Sequence, residues 1–149
     1  SSIAGVAHGF KVMQRAFPLL GGGLPPERYD IEIESAFDGA GARDAFEMVT
    51  RAVTGGRYRL APELAPADAP HGPEGRFFFR FEYRGSGVDL KLRVGLVSEE
   101  FVQLARRGAD TPAEVERLAW LKQDMADRLL RLAADEVYDA SMSQLDADS

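Results

Sequence analysis

The chain contains no cysteine among its 149 residues. That excludes disulfides, thiolate zinc sites and cysteine-ligated clusters. Histidine is nearly as scarce. With only His8 and His71, no multi-histidine metal site can form within one chain, so no metal and no cofactor is expected. No apolar run approaches the ~20 residues needed to span a bilayer, and no basic-then-apolar leader opens the chain. A cytoplasmic protein without a membrane partner is therefore expected. Excess positive charge is also missing: the net charge is −6, which argues against nucleic acid as a partner, since such proteins normally show a basic face. Arginine outnumbers lysine 15 to 3, a ratio read as codon bias rather than anion recognition. The chain opens on Ser1 rather than methionine, so trimming at the N-terminus is expected.

What is present is an ordinary globular balance, 45% hydrophobic and 28% charged, in a length that suits one domain with one core. Ile3, Val6, Ala7, Phe10, Met13 and Phe17 recur at helical spacing and predict an amphipathic helix from Ile3 to about Leu20. His8, Lys11 and Arg15 fall on a separate, basic face. Gly5 and Gly9 share one face, and glycine inside a helix costs roughly 1 kcal/mol relative to alanine. Close approach of another backbone is the expected reason. Tyr29 to Glu34 alternates as a half-buried strand. Asp38 to Ala42 reads as a tight turn, followed by a helix from about Arg43 to Val53.

Tyr58 and Leu60 suggest a short strand, and Leu64 to Gly75 a surface loop. From Arg76 to Leu96, two alternating runs flank Arg84-Gly85-Ser86-Gly87. A Gly85-Ser86 loop predicts a hairpin pairing Tyr83 with Val88, Phe81 with Leu90, Phe79 with Leu92 and Phe77 with Val94. Phe78 then falls on the polar face, and together with the glycine patch it predicts a homodimer or a hetero-oligomer. Ser98 caps a helix to Arg107. Thr111-Pro112-Ala113-Glu114 combines a capping box with proline at the first helical position and opens a long helix to about Ala134. Its predicted stripe is Val115, Leu118, Leu121, Met125, Leu129 and Leu132, with Trp120 off the stripe, in the core or at an interface. Val137 to Met142 forms a last strand. The expected fold is α+β: a mostly antiparallel sheet with a long hairpin, packed by an N-terminal helix, a middle helix and two C-terminal helices. Residues 1–143 form one domain and 144–149 a polar tail.

Several short segments resemble the FmdE-like family, named for a component of formylmethanofuran dehydrogenase. Gly5-Val6-Ala7-His8-Gly9-Phe10-Lys11 looks like the stretch after that family's first cysteine. Ile31-Glu32-Ile33-Glu34 and Arg43-Asp44-Ala45-Phe46 are similar to its strand ending in glutamate and its turn into a helix. Asp110-Thr111-Pro112-Ala113-Glu114 and Ala134-Asp135-Glu136-Val137-Tyr138 look like its last helix and its ending. The family's cysteines fall here at Ile3, Gly41 and near Ala52, and its first histidine at Ser1. The family's metal chemistry therefore does not carry over. What the resemblance implies is a metal-free accessory or small-molecule-binding protein linked to one-carbon or molybdenum/tungsten-enzyme metabolism.

The candidate ligand-binding residues are His8, Lys11, Glu34, Arg43 and Asp44. His8 titrates near neutrality and reads either as a ligand or acid–base group in a cleft, or as part of a polar helix face or a core histidine. Asp44 either orients His8 in a shared pocket or serves as a first-turn acid favouring the helix dipole. Glu34 ends a strand on its polar edge. Lys11, Arg15, Arg43 and Arg51 read as an anion pocket or as solvated helix faces. Gly55-Gly56-Arg57 is too short for a phosphate loop, and Gly85-Ser86-Gly87 is a turn rather than a nucleophile elbow. Ser1 could serve as an N-terminal nucleophile only if processing exposed it. Besides the binding protein, two readings stay open: an enzyme acting on a small molecule through His8 with Asp44 or Glu34, and a purely structural component of a larger complex.

Overall fold

Helix α1 runs from Ile3 to Leu20, as its periodicity predicts, but the face it buries differs. Ala4, Gly5, Ala7, His8, Gly9, Lys11, Val12, Met13 and Ala16 are buried, whereas Ile3 is exposed. The small residues explain the rotation, because alanine and glycine let the helix sit deep among its neighbours while the bulkier Phe10 and Phe17 pack at the edge of the core. The basic face expected outside is thus partly inside. In this computed structural model residues 3–143 are described; the tail 144–149 and the Ser1 reading lie outside them.

The remaining elements are β1 (Glu32–Phe37), α2 (Ala40–Thr50), β2 (Tyr58–Leu60), β3 (His71–Gly72), β4 (Gly75–Tyr83), β5 (Ser86–Leu92), α3 (Glu99–Arg107), α4 (Pro112–Arg131), α5 (Ala134–Val137) and β6 (Tyr138–Met142). The six strands form one sheet in the order β2-β1-β4-β5-β6, with β3 paired to β4. All pairings are antiparallel except β1 with β2, which α2 connects. The fold is α+β. Among the described residues, no helix is long and apolar enough to cross a membrane.

Strand alternation sorts the sheet into two faces. Ile33, Phe79, Phe81, Val88, Leu90, Leu92 and Tyr138 join the main core with the helices. Glu34, Arg80, Glu82, Asp89 and Lys91 belong to the opposite, polar face. Phe78 falls on that polar face, yet it is buried beneath the loop after β2, with Ala36, Ala69, Leu64 and Ala65. The ring is therefore covered within the chain and offers no partner a surface.

The hairpin register corrects the expected one by two residues. Phe81 faces Val88, Phe79 faces Leu90, and Arg80 directly faces Asp89, to which it is bonded through Nε and Nη2 at 2.7 and 3.1 Å. Lys91, on the same face, bonds Asp68 at 3.0 Å. The two-residue loop is Arg84-Gly85, with φ of 49° and 85°, the pair of left-handed conformations that a twisted hairpin prefers. A slip of two keeps every side chain on its face, so alternation alone does not detect it.

Three other boundaries move. Tyr29 lies in a 3-10 turn (Arg28–Asp30) and is exposed, so β1 begins at Glu32. Helix α2 begins at Ala40, not Arg43, and stops at Thr50, with Arg51 left-handed as its cap. Helix α4 ends at Arg131, and its buried residues are Leu121, Met125, Ala126 and Leu129; Val115 and Trp120 are exposed. The two capping signals match their helices. Ser98 accepts the Phe101 N–H, and Thr111 and Glu114 form a reciprocal capping box.

The glycine patch on α1 is filled by α2. A Cβ on Gly5 would lie 3.3 Å from the Gly41 Cα, and one on Gly9 would lie 2.7 Å from the Ala45 Cβ. These glycines serve helix packing inside the domain, not an interface between chains.

Candidate functional site

The chain turns from β1 into α2 through Asp38 and Gly39. Gly39 is the N-cap and has no side chain to receive the first-turn N–H groups, so these donors lack the usual cap. Clefts of this kind, beyond the carboxyl end of a strand that feeds a helix, commonly hold ligands in α/β units. A cavity of about 100 Å³ opens here, lined by Ala4, Gly5, His8, Phe37, Gly39, Ala40, Gly41, Glu74, Phe77, Phe101 and Met125. Its wall is mostly apolar. Ala40 and Glu74 are exposed and mark its mouth.

His8 is the chemical centre of this wall. Its side chain is 1% exposed. Its ring stacks on Phe77, centroid to centroid 4.4 Å, and Phe77 stacks in turn on Phe37 at 4.5 Å. Nδ1 lies 2.9 Å from the Tyr138 hydroxyl, whereas Nε2, also buried, has no partner among the described residues. Burial pushes the His8 pKa down to about 3 and holds Tyr138 well above its ordinary value. At neutral pH both groups are uncharged. Desolvation governs both shifts, since no charged neighbour contributes to either.

The hydrogen balance sets the His8 tautomer. Tyr138 is fully buried, and among the described residues its hydroxyl bonds only His8. If Nδ1 carried the proton, the tyrosine O–H would be left buried without an acceptor, a loss of ~1–3 kcal/mol. If the tyrosine donates to Nδ1, the hydroxyl and Nδ1 satisfy each other, and Nε2–H is the one group of the pair without a partner among the described residues. The proton then sits on Nε2, and His8 becomes a neutral hydrogen-bond donor rather than a base.

The other predicted residues lie elsewhere. Lys11 Nζ donates to the Leu132 carbonyl at 2.5 Å and to Gln14 at 3.0 Å, at the C-terminal end of α4, where carbonyls attract a cation. Arg15 donates to the Tyr138 carbonyl at 3.1 Å. Both tie α1 to the C-terminal segment. Glu34 is bonded to its cross-strand neighbour Arg59, on the sheet face away from α1. Arg43 and Asp44 are exposed on α2, and neither lines the cavity. The expected His8–Asp44 pocket and the anion pocket do not form. With α2 starting at Ala40, Asp44 lies beyond its first turn. Among the described residues, no three His, Asp or Glu side chains gather as a metal site.

Sequence reasoning misses Phe37, Phe77, Tyr138 and the Gly39-Ala40-Gly41 turn. The segment carries a signal, three small residues after a strand, but on sequence alone it reads as a tight turn ahead of the helix rather than as the helix's own start. Nothing local connects position 138 to position 8. No protein-family model matches this chain, and no curated protein matches it.

Proposed function

We propose that this chain is a small-molecule-binding protein that seats its ligand in the cavity between His8, Phe77 and the first turn of α2. The observation that carries this reading is that His8, whose buried Nε2 has no partner among the described residues, lines a cavity whose remaining wall is largely apolar. Binding sites typically combine an apolar wall with a few convergent polar groups, and a buried donor without an acceptor is costly unless something fills it. At about 100 Å³ the cavity is smaller than the roughly 150 Å³ that accommodates benzene. It suits a molecule of a few heavy atoms, or the end of a longer one entering between Ala40 and Glu74.

Binding is favoured over catalysis because His8 stays neutral and neither Asp44 nor Glu34 reaches it. A histidine with its pKa near 3 is a weak general base at neutral pH. A role beside one-carbon or molybdenum/tungsten enzymes rests on the resemblance to the FmdE-like family alone. So does self-association, now that α2 and the loop after β2 cover the surfaces that suggested it. The test is denaturing mass spectrometry of the protein purified natively from its own host, compared with an Ala40→Phe variant that blocks the mouth. A small molecule released from the wild type and absent from the variant supports the reading. Both proteins empty, with no thermal shift from a fragment library, refutes it.

A further inference from the structure

The ligand that the cavity selects follows from its polar groups. We infer that it binds a small, uncharged molecule through a single acceptor oxygen of carbonyl type, received by His8 Nε2–H and the uncapped first-turn N–H groups of α2. This rests on the proposed binding role of the cavity and specifies its ligand class.

Three observations combine. The N-cap of α2 is Gly39, without a side-chain acceptor, and Gly39, Ala40 and Gly41 all line the cavity. His8 lines the same cavity, is almost completely buried, and has one unpartnered nitrogen. The Tyr138 hydroxyl occupies Nδ1, and the hydrogen balance places the remaining proton on Nε2. Both polar elements are therefore donors, and a ligand that meets them must bring an acceptor.

Charge decides between a neutral acceptor and a carboxylate. Among the described residues, no arginine or lysine lines the cavity, and its one ionisable side chain besides His8 is Glu74 at the mouth. A carboxylate entering here would lose its hydration and face only dipoles and a like charge. A ketone, aldehyde or amide oxygen gives up far less water. The apolar rings of Phe37, Phe77 and Phe101 receive the rest of the molecule. Tyr138 acts as a positioning residue, since it sets the tautomer of His8 without touching the ligand.

The experiment uses three probes of four heavy atoms each on the intact chain: acetone, isobutene and acetate. Binding is followed by NMR titration, with ¹⁵N shifts of the His8 ring reporting the tautomer. The expected result is an Nε2–H tautomer in the free protein and acetone binding at least tenfold tighter than isobutene or acetate. His8→Leu should abolish the preference for the ketone while isobutene still binds. Should that variant fail to fold, the tautomer and the probe ratio in the wild type carry the test. Equal binding of the alkene and the ketone overturns the ligand class while leaving the cavity a binding site. Tighter binding of acetate overturns the neutral assignment, and an Nδ1–H tautomer overturns the donor role of His8. No binding by any probe to the folded protein overturns the cavity reading itself and this inference with it.

Discussion

The Tyr138 hydroxyl lies 2.9 Å from His8 Nδ1, joining the first helix to the last strand across 130 residues of sequence. The contact is buried at both ends. It holds α1 against the sheet and keeps one His8 nitrogen turned from the other chemistry of the wall. Lys11 and Arg15 reinforce the same junction by donating to the carbonyls of Leu132 and Tyr138.

Replacing Tyr138 with phenylalanine should destabilise the chain by about 1–3 kcal/mol, because both His8 nitrogens would then be buried without a protein partner. Urea denaturation at pH 7 measures the change. The double variant His8→Leu with Tyr138→Phe should recover part of the loss, since removing both partners leaves no orphan. A Tyr138→Phe variant as stable as the wild type would show that the bond contributes nothing.

Gly9 should resist even a methyl group. A Cβ there lies 2.7 Å from the Ala45 Cβ and 3.1 Å from the Ala42 carbonyl oxygen, so Gly9→Ala should cost about 1–3 kcal/mol through overpacking. Adding Ala45→Gly opens the closer contact. The pair should regain most of the stability, although Ala45→Gly alone costs about 1 kcal/mol of helix propensity. Thermal unfolding reports the recovery, and light scattering should find one mass for all variants. A change of mass without loss of stability would place Gly9 at an interface instead.

Much of this architecture is legible in the sequence where local physics decides. The Ser98 cap, the Thr111–Glu114 box and the alternation in β4 and β5 each act over a few residues, and each appears in place. The hairpin slip escapes because a shift of two leaves the alternation intact. The outward-facing Phe78 and the free glycine patch depend on what packs from a distance. The loop residues Leu64 and Ala69 cover Phe78, and α2 covers Gly5 and Gly9. The site shows the same limit. His8 stands out as a histidine on a helix, but its burial, its tyrosine partner and its neutral state come from residues 37, 77 and 138. Asp44 stands out only by its proximity to a motif, and the three-residue shift in the start of α2 removes it from the first turn.

The hairpin turn offers a direct check of the corrected register. Arg84 adopts a φ of 49°, a region that asparagine tolerates and β-branched residues avoid. Arg84→Asn and Arg84→Val both lose the exposed ion pair with Asp30, so comparing them isolates the backbone. The asparagine variant should be more stable than the valine variant by about 1 kcal/mol in denaturant unfolding. If the loop were Gly85-Ser86, position 84 would be an ordinary strand residue and valine would be at least as good as asparagine.

Acid should destabilise this chain partly through His8. The unfolded residue titrates near 6.5, and the buried one near 3. Between those values the unfolded state holds a proton that the folded state refuses, so stability falls as pH falls. The contribution is fully present above pH 6.5, is lost progressively down to about 3, and levels off below that. Each pH unit inside the window removes up to about 1.4 kcal/mol. Carboxylates of the unfolded chain titrate over part of the same range, so the wild type alone does not isolate the effect; the charged side chain that shares the cavity lining with His8 is Glu74. Tyr138, the other group facing His8, keeps its proton throughout, its pKa lying well above the ordinary value. The informative quantity is the stability of the wild type minus that of the His8→Leu, Tyr138→Phe double variant, measured by urea unfolding from pH 7 to pH 4. That difference should shrink by roughly 3 kcal/mol, at one proton's slope. In parallel, the His8 ring resonances should stay constant in the folded protein down to about pH 4. A flat difference, with ring shifts moving near pH 6.5, would mean that water reaches His8 freely, and the closed donor site drawn from its burial would be lost.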